Sequence, residues 1–197
     1  MKHLRAILWG VVAVFAAILG GVYFTGGFQP DRLLTMADIG GPFRLASSNG
    51  GFIDSKDLLG KPYGVFFGFT HCPEVCPTTM YEMTKTLKAV GDDAKDFRLF
   101  FITVDPERDT APMLKDYLSN FDPRIEALVP TAEELRSVAR DFRAIYEKVP
   151  GSDGEYTMNH TATIYLMNGK GQLASTISYD EKPENRIAKL KKLIAGG

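Results

Sequence analysis

What this 197-residue chain holds little of already narrows its function. It has two cysteines and one tryptophan, too few cysteines for a disulfide scaffold, and a chain of this length needs none to bury a core. Lysine plus arginine number 23 against 24 acidic residues, for a formal net charge of -1. With no basic excess, no Lys/Arg-rich arm and no zinc-finger spacing, nucleic-acid binding has no support. Internal repeats and low-complexity tracts are also absent. At 45% hydrophobic and 24% charged residues, the composition suits one globular domain of ordinary size.

Charge is missing altogether from Ala6 to Phe24, where Ile7, Leu8, Trp9, Val11, Val12, Val14, Phe15, Ile18, Leu19, Val22 and Tyr23 dominate. About nineteen helical residues nearly cross a hydrocarbon core, so the stretch reads as a transmembrane helix. Lys2 and Arg5 precede it and Thr25-Gly26-Gly27-Phe28-Gln29-Pro30 follows, which puts the tail on the cytoplasmic or matrix side. A cleaved signal peptide shares this outline. The length of the span and the lack of a clear Ala-x-Ala site after it favour a retained anchor. The expected organisation is a tail over 1–5, an anchor over 6–24, a tether over 25–40 and a soluble domain over 41–197. Without Lys2 and Arg5 the exported part carries -3.

Both cysteines fall in one stretch. Val65-Phe66-Phe67-Gly68-Phe69 has the length and aromatic content of a buried strand; Thr70-His71-Cys72-Pro73-Glu74-Val75-Cys76-Pro77 follows, and Thr78-Thr79-Met80 opens a helix. Where a strand hands over to a helix, unpaired backbone N–H groups and the positive end of the dipole favour thiolate over thiol. Cysteines so placed suit redox or metal chemistry.

The remaining pattern predicts a hairpin from Phe43-Arg44-Leu45 and Phe52-Ile53 around Asn49-Gly50, covering a sheet edge. A helix is predicted from Thr78 to about Val90, with Met80, Met83, Leu87 and Val90 on its apolar face; methionines at that spacing are assigned to the core rather than to metal. Strands follow at 97–104 and 125–129, a short helix at 112–120, and a capping box at Thr131 opens a helix expected to run to about Lys148. A polar loop from Pro150 ends at Met158-Asn159-His160. A strand at 161–167, a turn at Asn168-Gly169-Lys170-Gly171, a return strand at 173–177 and a helix from about Pro183 to Ile194 complete the chain. This order predicts an α/β sandwich with a central mixed sheet, and the cysteine motif after the first central strand makes it thioredoxin-like.

Cys72 and Cys76 stand four apart, so a near-helical segment sets both sulfurs on one side, able to clamp a metal or to join as a disulfide. Loops at the carboxyl ends of the strands gather at one edge, which makes His160 the candidate third group; a capping or core histidine is its bland reading. Two thiolates and an imidazole form a soft site suited to Cu(I), with Cu(II) accessible if an oxygen completes the sphere. Structural zinc normally takes four ligands, and the other histidines are His3, beside the span, and His71, adjacent to Cys72. Asp105-Pro106-Glu107-Arg108-Asp109-Thr110 reads as a solvated turn with Asp109 or Thr110 capping a helix, or as an acidic rim to the site. The rival chemistry is thiol-disulfide exchange. Three intervening residues between the cysteines, where thioredoxin has two, and the presence of His160 argue for metal. A peroxidase of this fold would show Pro-x-x-x-Thr-x-x-Cys, which is absent.

Gly68 to Pro77, the Asp105–Thr110 run, and His160 followed by Thr161 and a strand resemble the three signatures of the Sco/SenC proteins, membrane-anchored copper proteins of cytochrome c oxidase assembly. The resemblance implies a thioredoxin-like fold that binds one copper through Cys72, Cys76 and His160, with Asp105 in a supporting or docking role. It implies delivery of copper, or of reducing equivalents, to the binuclear copper site of oxidase subunit II, and contact with other copper chaperones or thiol reductants. The place implied is the inner membrane, single-pass, with the domain on the periplasmic or intermembrane-space side. Family members usually have Asp before the metal-binding histidine, whereas this chain has Asn159, which bears on docking and on tuning of His160.

Overall fold

The run Tyr63–Gly68 is buried at every position, as expected of a strand covered on both faces. It is strand β3 of a computed structural model that describes residues 2–24, 39–151 and 154–196. Nine strands occur among these residues: β1 (Arg44–Ser47), β2 (Phe52–Asp54), β3, β4 (Arg98–Thr103), β5 (Ile125–Val129), β6 (Tyr146–Pro150), β7 (Tyr156–His160), β8 (Thr163–Met167) and β9 (Leu173–Ser178). The helices are α1 (Lys2–Phe24), α2 (Val75–Val90), α3 (Ala111–Leu118), α4 (Ala132–Asp141) and α5 (Pro183–Ala195).

Seven strands form one mixed sheet in the order β2-β1-β5-β4-β3-β8-β9, with β3, β4 and β5 parallel and the remaining pairs antiparallel. The expected hairpin does cover the β5 edge. Because β3 and β4 are parallel, the loops after Gly68 and Thr103 leave at the same edge. Strand β8 is antiparallel to β3, pairing Phe66 with Ile164, so the chain just before β8 reaches that edge too. Topology alone thus gathers the cysteine loop, the Asp105 loop and His160.

Alternation along β3 and β4 sends aromatics to both faces. Phe66 and Phe101 pack on one face with Tyr117 of α3, while Tyr63, Phe67 and Phe100 pack on the other with Phe43, Phe142 and Tyr165. Met80, Met83 and Leu87 of α2 are fully buried, so both methionines are core. Each such side chain contributes about 1.5–3 kcal/mol on burial.

Two expectations are corrected. The helix opened by Thr131, whose capping box is present, ends at Asp141 and not near Lys148. Phe142 is buried, Arg143 takes a left-handed φ of 55°, and the Ala144 N–H bonds back to the Ala139 carbonyl. The chain then leaves as β6, which pairs with β7 in a separate two-stranded sheet, Tyr146 opposite His160. His160 is therefore the last residue of a strand. The cysteine helix also begins earlier than expected, at Val75, which takes Cys76 into its first turn.

Helix α1 belongs to one compact unit, Met1–Thr35, and the sheet to another, Met36–Gly197. The exposed side chains of α1 include Ile7, Leu8, Trp9, Val11, Val12, Val14, Phe15 and Ile18. The side chains at 2–4, 6, 19 and 22–24 lie outside the described ones, and among the described residues no helix is long and apolar enough to cross a membrane. The tether expected from residue 25 lies outside the described residues as far as 38.

Gly68, where β3 hands over to the cysteine loop, has no room for a side chain: a Cβ there would sit 2.7 Å from Phe101 and 2.8 Å from Phe66. Gly68→Ala is expected to destabilise the domain by about 1–3 kcal/mol, read as a lower urea midpoint. An unchanged midpoint would show that the two rings give way freely.

Candidate metal centre

Helix α2 begins without a side-chain cap: Glu74 stands at the N-cap position and makes no capping bond. The Cys76 N–H, an orphan donor of the first turn, instead donates to Cys72 Sγ at 3.3 Å. Sulfur takes the place of the usual capping oxygen, and a thiolate does so better than a thiol. The Cys76 thiol donates to the same sulfur, and these bonds from Cys76 outweigh burial and bring the Cys72 pKa down to about 4. Cys76 moves the opposite way, raised by its bond to Cys72 and by its own burial, and keeps its proton. Cys72 is 9% exposed and Cys76 fully buried. The pair is a rim thiolate over a buried thiol, the two not bonded to each other.

His160 arrives from the other direction. Its Nε2 lies 3.4 Å from Cys76 Sγ, and its Nδ1 is 3.2 Å from the Thr161 carbonyl, which can only accept. The proton therefore sits on Nδ1 and Nε2 presents its lone pair to the sulfurs. The ring stands edge-on to Phe66 and Phe69, with centroids 6.0 and 5.7 Å away. The two sulfurs and the imidazole nitrogen lie within 4.8 Å of one another, the one such cluster among the described residues. Two soft sulfurs and one imidazole fit copper, and are one donor short of a closed structural zinc site.

Of the acidic residues in the Asp105–Thr110 run only Glu107 stands out at the surface, paired with Lys148, while the two aspartates turn inward. Asp105 and Asp109 are 3% and 1% exposed. Thr110, not Asp109, caps α3, accepting from the Met113 N–H. Asp109 instead ties the cysteine loop to β4: its carboxylate accepts the Thr70 N–H, the Thr70 hydroxyl and, at 2.6 Å, the Thr103 hydroxyl. Loss of that carboxylate would strand three donors, each at about 1–3 kcal/mol if left buried and unpaired.

Asp105 stays outside the sulfur–imidazole cluster and holds the hairpin that bears His160. Its carboxylate accepts Arg108 Nε and the Tyr156 hydroxyl, the latter at 2.9 Å. Arg108 in turn donates to the Tyr156 carbonyl at 3.0 Å and stacks 3.6 Å over the Tyr156 ring, with Lys148 3.8 Å from the same ring. Thr70, Arg108, Asp109 and Tyr156 escape a reading by spacing because each acts through a partner tens of residues away. Tyr117, whose hydroxyl is buried without a partner, is pushed up chiefly by burial.

Because only the thiolate attacks, iodoacetamide is expected to alkylate Cys72 at a rate that holds level from pH 8 to about 5 and falls with a midpoint near 4. Peptide mass spectrometry assigns the site. A midpoint near 8.5, the ordinary cysteine value, would contradict the capping account.

Comparison with known proteins agrees with this geometry. The family model described as SCO1/SenC matches residues 32–195. The SCO2-like protein of Rickettsia felis is 34% identical over 155 residues, which cover 78% of this chain and 76% of that one. Protein SCO1 homolog 1, mitochondrial, of Arabidopsis thaliana is 38% identical over 133 residues, 67% of this chain but 40% of that longer protein. The structure of Bradyrhizobium japonicum ScoI with copper bound superposes with a TM-score of 0.73 at 47% identity, covering 79% of this chain and 99% of that one. With the cysteine loop, the Asp105 loop and His160 brought to one edge of a thioredoxin-like sheet, the chain belongs to the SCO1/SenC family.

Proposed function

We propose that this chain is a membrane-anchored copper metallochaperone of cytochrome c oxidase assembly, which binds one copper through Cys72, Cys76 and His160 and delivers it to the binuclear copper site of oxidase subunit II. The observation that carries the reading is the convergence of two sulfurs and one imidazole nitrogen within 4.8 Å. Family membership and the copper-bound ScoI neighbour support the choice of metal.

The geometry suits exchange rather than storage. An arriving Cu(I) meets the Cys72 thiolate at the rim and then gains Cys76 and His160 Nε2 below it. Departure reverses the order, as thiolates of an acceptor replace one donor at a time. A fixed Nε2 lone pair and a preformed thiolate reduce the reorganisation needed at each step. Asp105 acts here as a positioning residue, since it holds the β6–β7 hairpin through Arg108 and Tyr156. The uncharged run of α1 after Lys2 and Arg5 supports an anchor in an inner, cytoplasmic-type membrane, with the domain on the periplasmic or intermembrane-space side.

The low pKa of Cys72 favours a second reading, thiol-disulfide exchange that keeps the target cysteines reduced: Cys72 attacks a partner disulfide and Cys76 resolves the mixed species.

An anaerobic Cu(I) titration of the reduced full chain separates the two. One copper per chain is expected, with affinity lost in Cys72→Ala and Cys76→Ala and weakened in His160→Ala. Since Cys72 is already ionised at pH 7 and Cys76 is not, binding is expected to expel one proton rather than two, seen as a tenfold rise in affinity per pH unit. Copper binding no tighter in wild type than in the cysteine variants would leave the redox reading.

A further inference from the structure

His71 precedes the rim cysteine, and its side chain is 48% exposed. The hydrogen bonds around it fix where its protons lie. Thr70 Oγ1 donates its hydrogen to Asp109 Oδ1, so the hydroxyl hydrogen is spent there. The same oxygen stands 3.0 Å from His71 Nδ1 and must accept there, which places the ring hydrogen on Nδ1. Nε2 is left with its lone pair. A carboxylate buried beneath the loop thus sets, through one threonine, the ligand face of an exposed imidazole. His160 shows the same tautomer by a different route, its Nδ1 facing the Thr161 carbonyl.

His71 does not belong to the cluster of Cys72, Cys76 and His160, and as the chain neighbour of Cys72 it is poorly placed to share one ion with all three. Neighbouring placement suits hand-over instead. We infer that His71 is the entrance ligand of the site: it takes Cu(I) from a donor at the surface through Nε2 and passes it to Cys72. This rests on the copper-binding reading above. In the first step a bond from copper to the donor's ligand breaks as the bond to His71 Nε2 forms. In the second the bond to Nε2 breaks as the bond to Cys72 Sγ forms. Copper remains Cu(I) and no electron moves; the Cys76 proton passes to solvent when that sulfur joins.

The test is stopped-flow loading of the reduced full chain from the coloured cuprous bicinchoninate complex, comparing wild type with His71→Ala, His71→Asn and His71→Met. Asparagine keeps an N–H to offer Thr70 but is a poor Cu(I) ligand, whereas a methionine thioether binds Cu(I) and offers Thr70 nothing. The expected result is that the Ala and Asn variants load roughly tenfold or more slowly, the local ligand concentration having been lost, while the Met variant recovers the rate. All should end at the wild-type copper content and affinity. Equal rates in all four chains would overturn the entrance role. So would recovery in the Asn variant alone, which would mark a structural bond to Thr70, and so would a lowered final affinity in the Ala and Asn variants, which would mark a resident ligand. A wild-type chain that takes up no copper would instead strike at the copper reading itself, and this inference would fall with it.

Discussion

The bond from the Cys76 amide to the Cys72 sulfur is the interaction on which the site depends. A helix start leaves donors without partners, and here the usual capping oxygen is missing. Supplying a sulfur in its place satisfies the helix and makes that sulfur an anion in one step. The consequence reaches Cys76, which keeps its proton because its neighbour has surrendered one. One thiolate outside and one thiol inside is an order of events written into the fold.

Support comes from two carboxylates with separate tasks. Asp109, seated between Thr70 and Thr103, couples the cysteine loop to β4. Asp105, through Arg108 and Tyr156, couples the same β4 loop to the hairpin that ends in His160. The short run Asp105–Thr110 therefore sets the separation between sulfur and imidazole, although none of its residues enters the cluster. Its neighbours Thr103 and Gly68 lie opposite each other in the β3–β4 register, so both loops start from one rigid place.

Much of this was legible in the sequence because it depends on local pattern. Val65 to Phe69 announces a buried strand, Asn49-Gly50 a hairpin and Thr131 a helix start, and each follows from chemistry within a few residues. His160 could be placed beside the cysteines from topology alone. The error at Lys148 has the same origin turned around: Phe142 is drawn under the sheet and Arg143 turns left-handed, tertiary demands that override a helical start. The tasks of Asp109 and Tyr156 were illegible for a related reason. Thr70 and Asp109 are 39 residues apart, Asp105 and Tyr156 51, and nothing in either neighbourhood names the other.

The most direct measurement is X-ray absorption at the copper edge of the Cu(I)-loaded, reduced chain, in wild type and in His160→Ala. The account predicts two sulfur scatterers and one nitrogen in the wild type, and loss of the nitrogen with both sulfurs kept in the variant. A sulfur-only sphere in the wild type, or a nitrogen that survives the substitution, would contradict His160 as the third ligand and the three-donor centre with it.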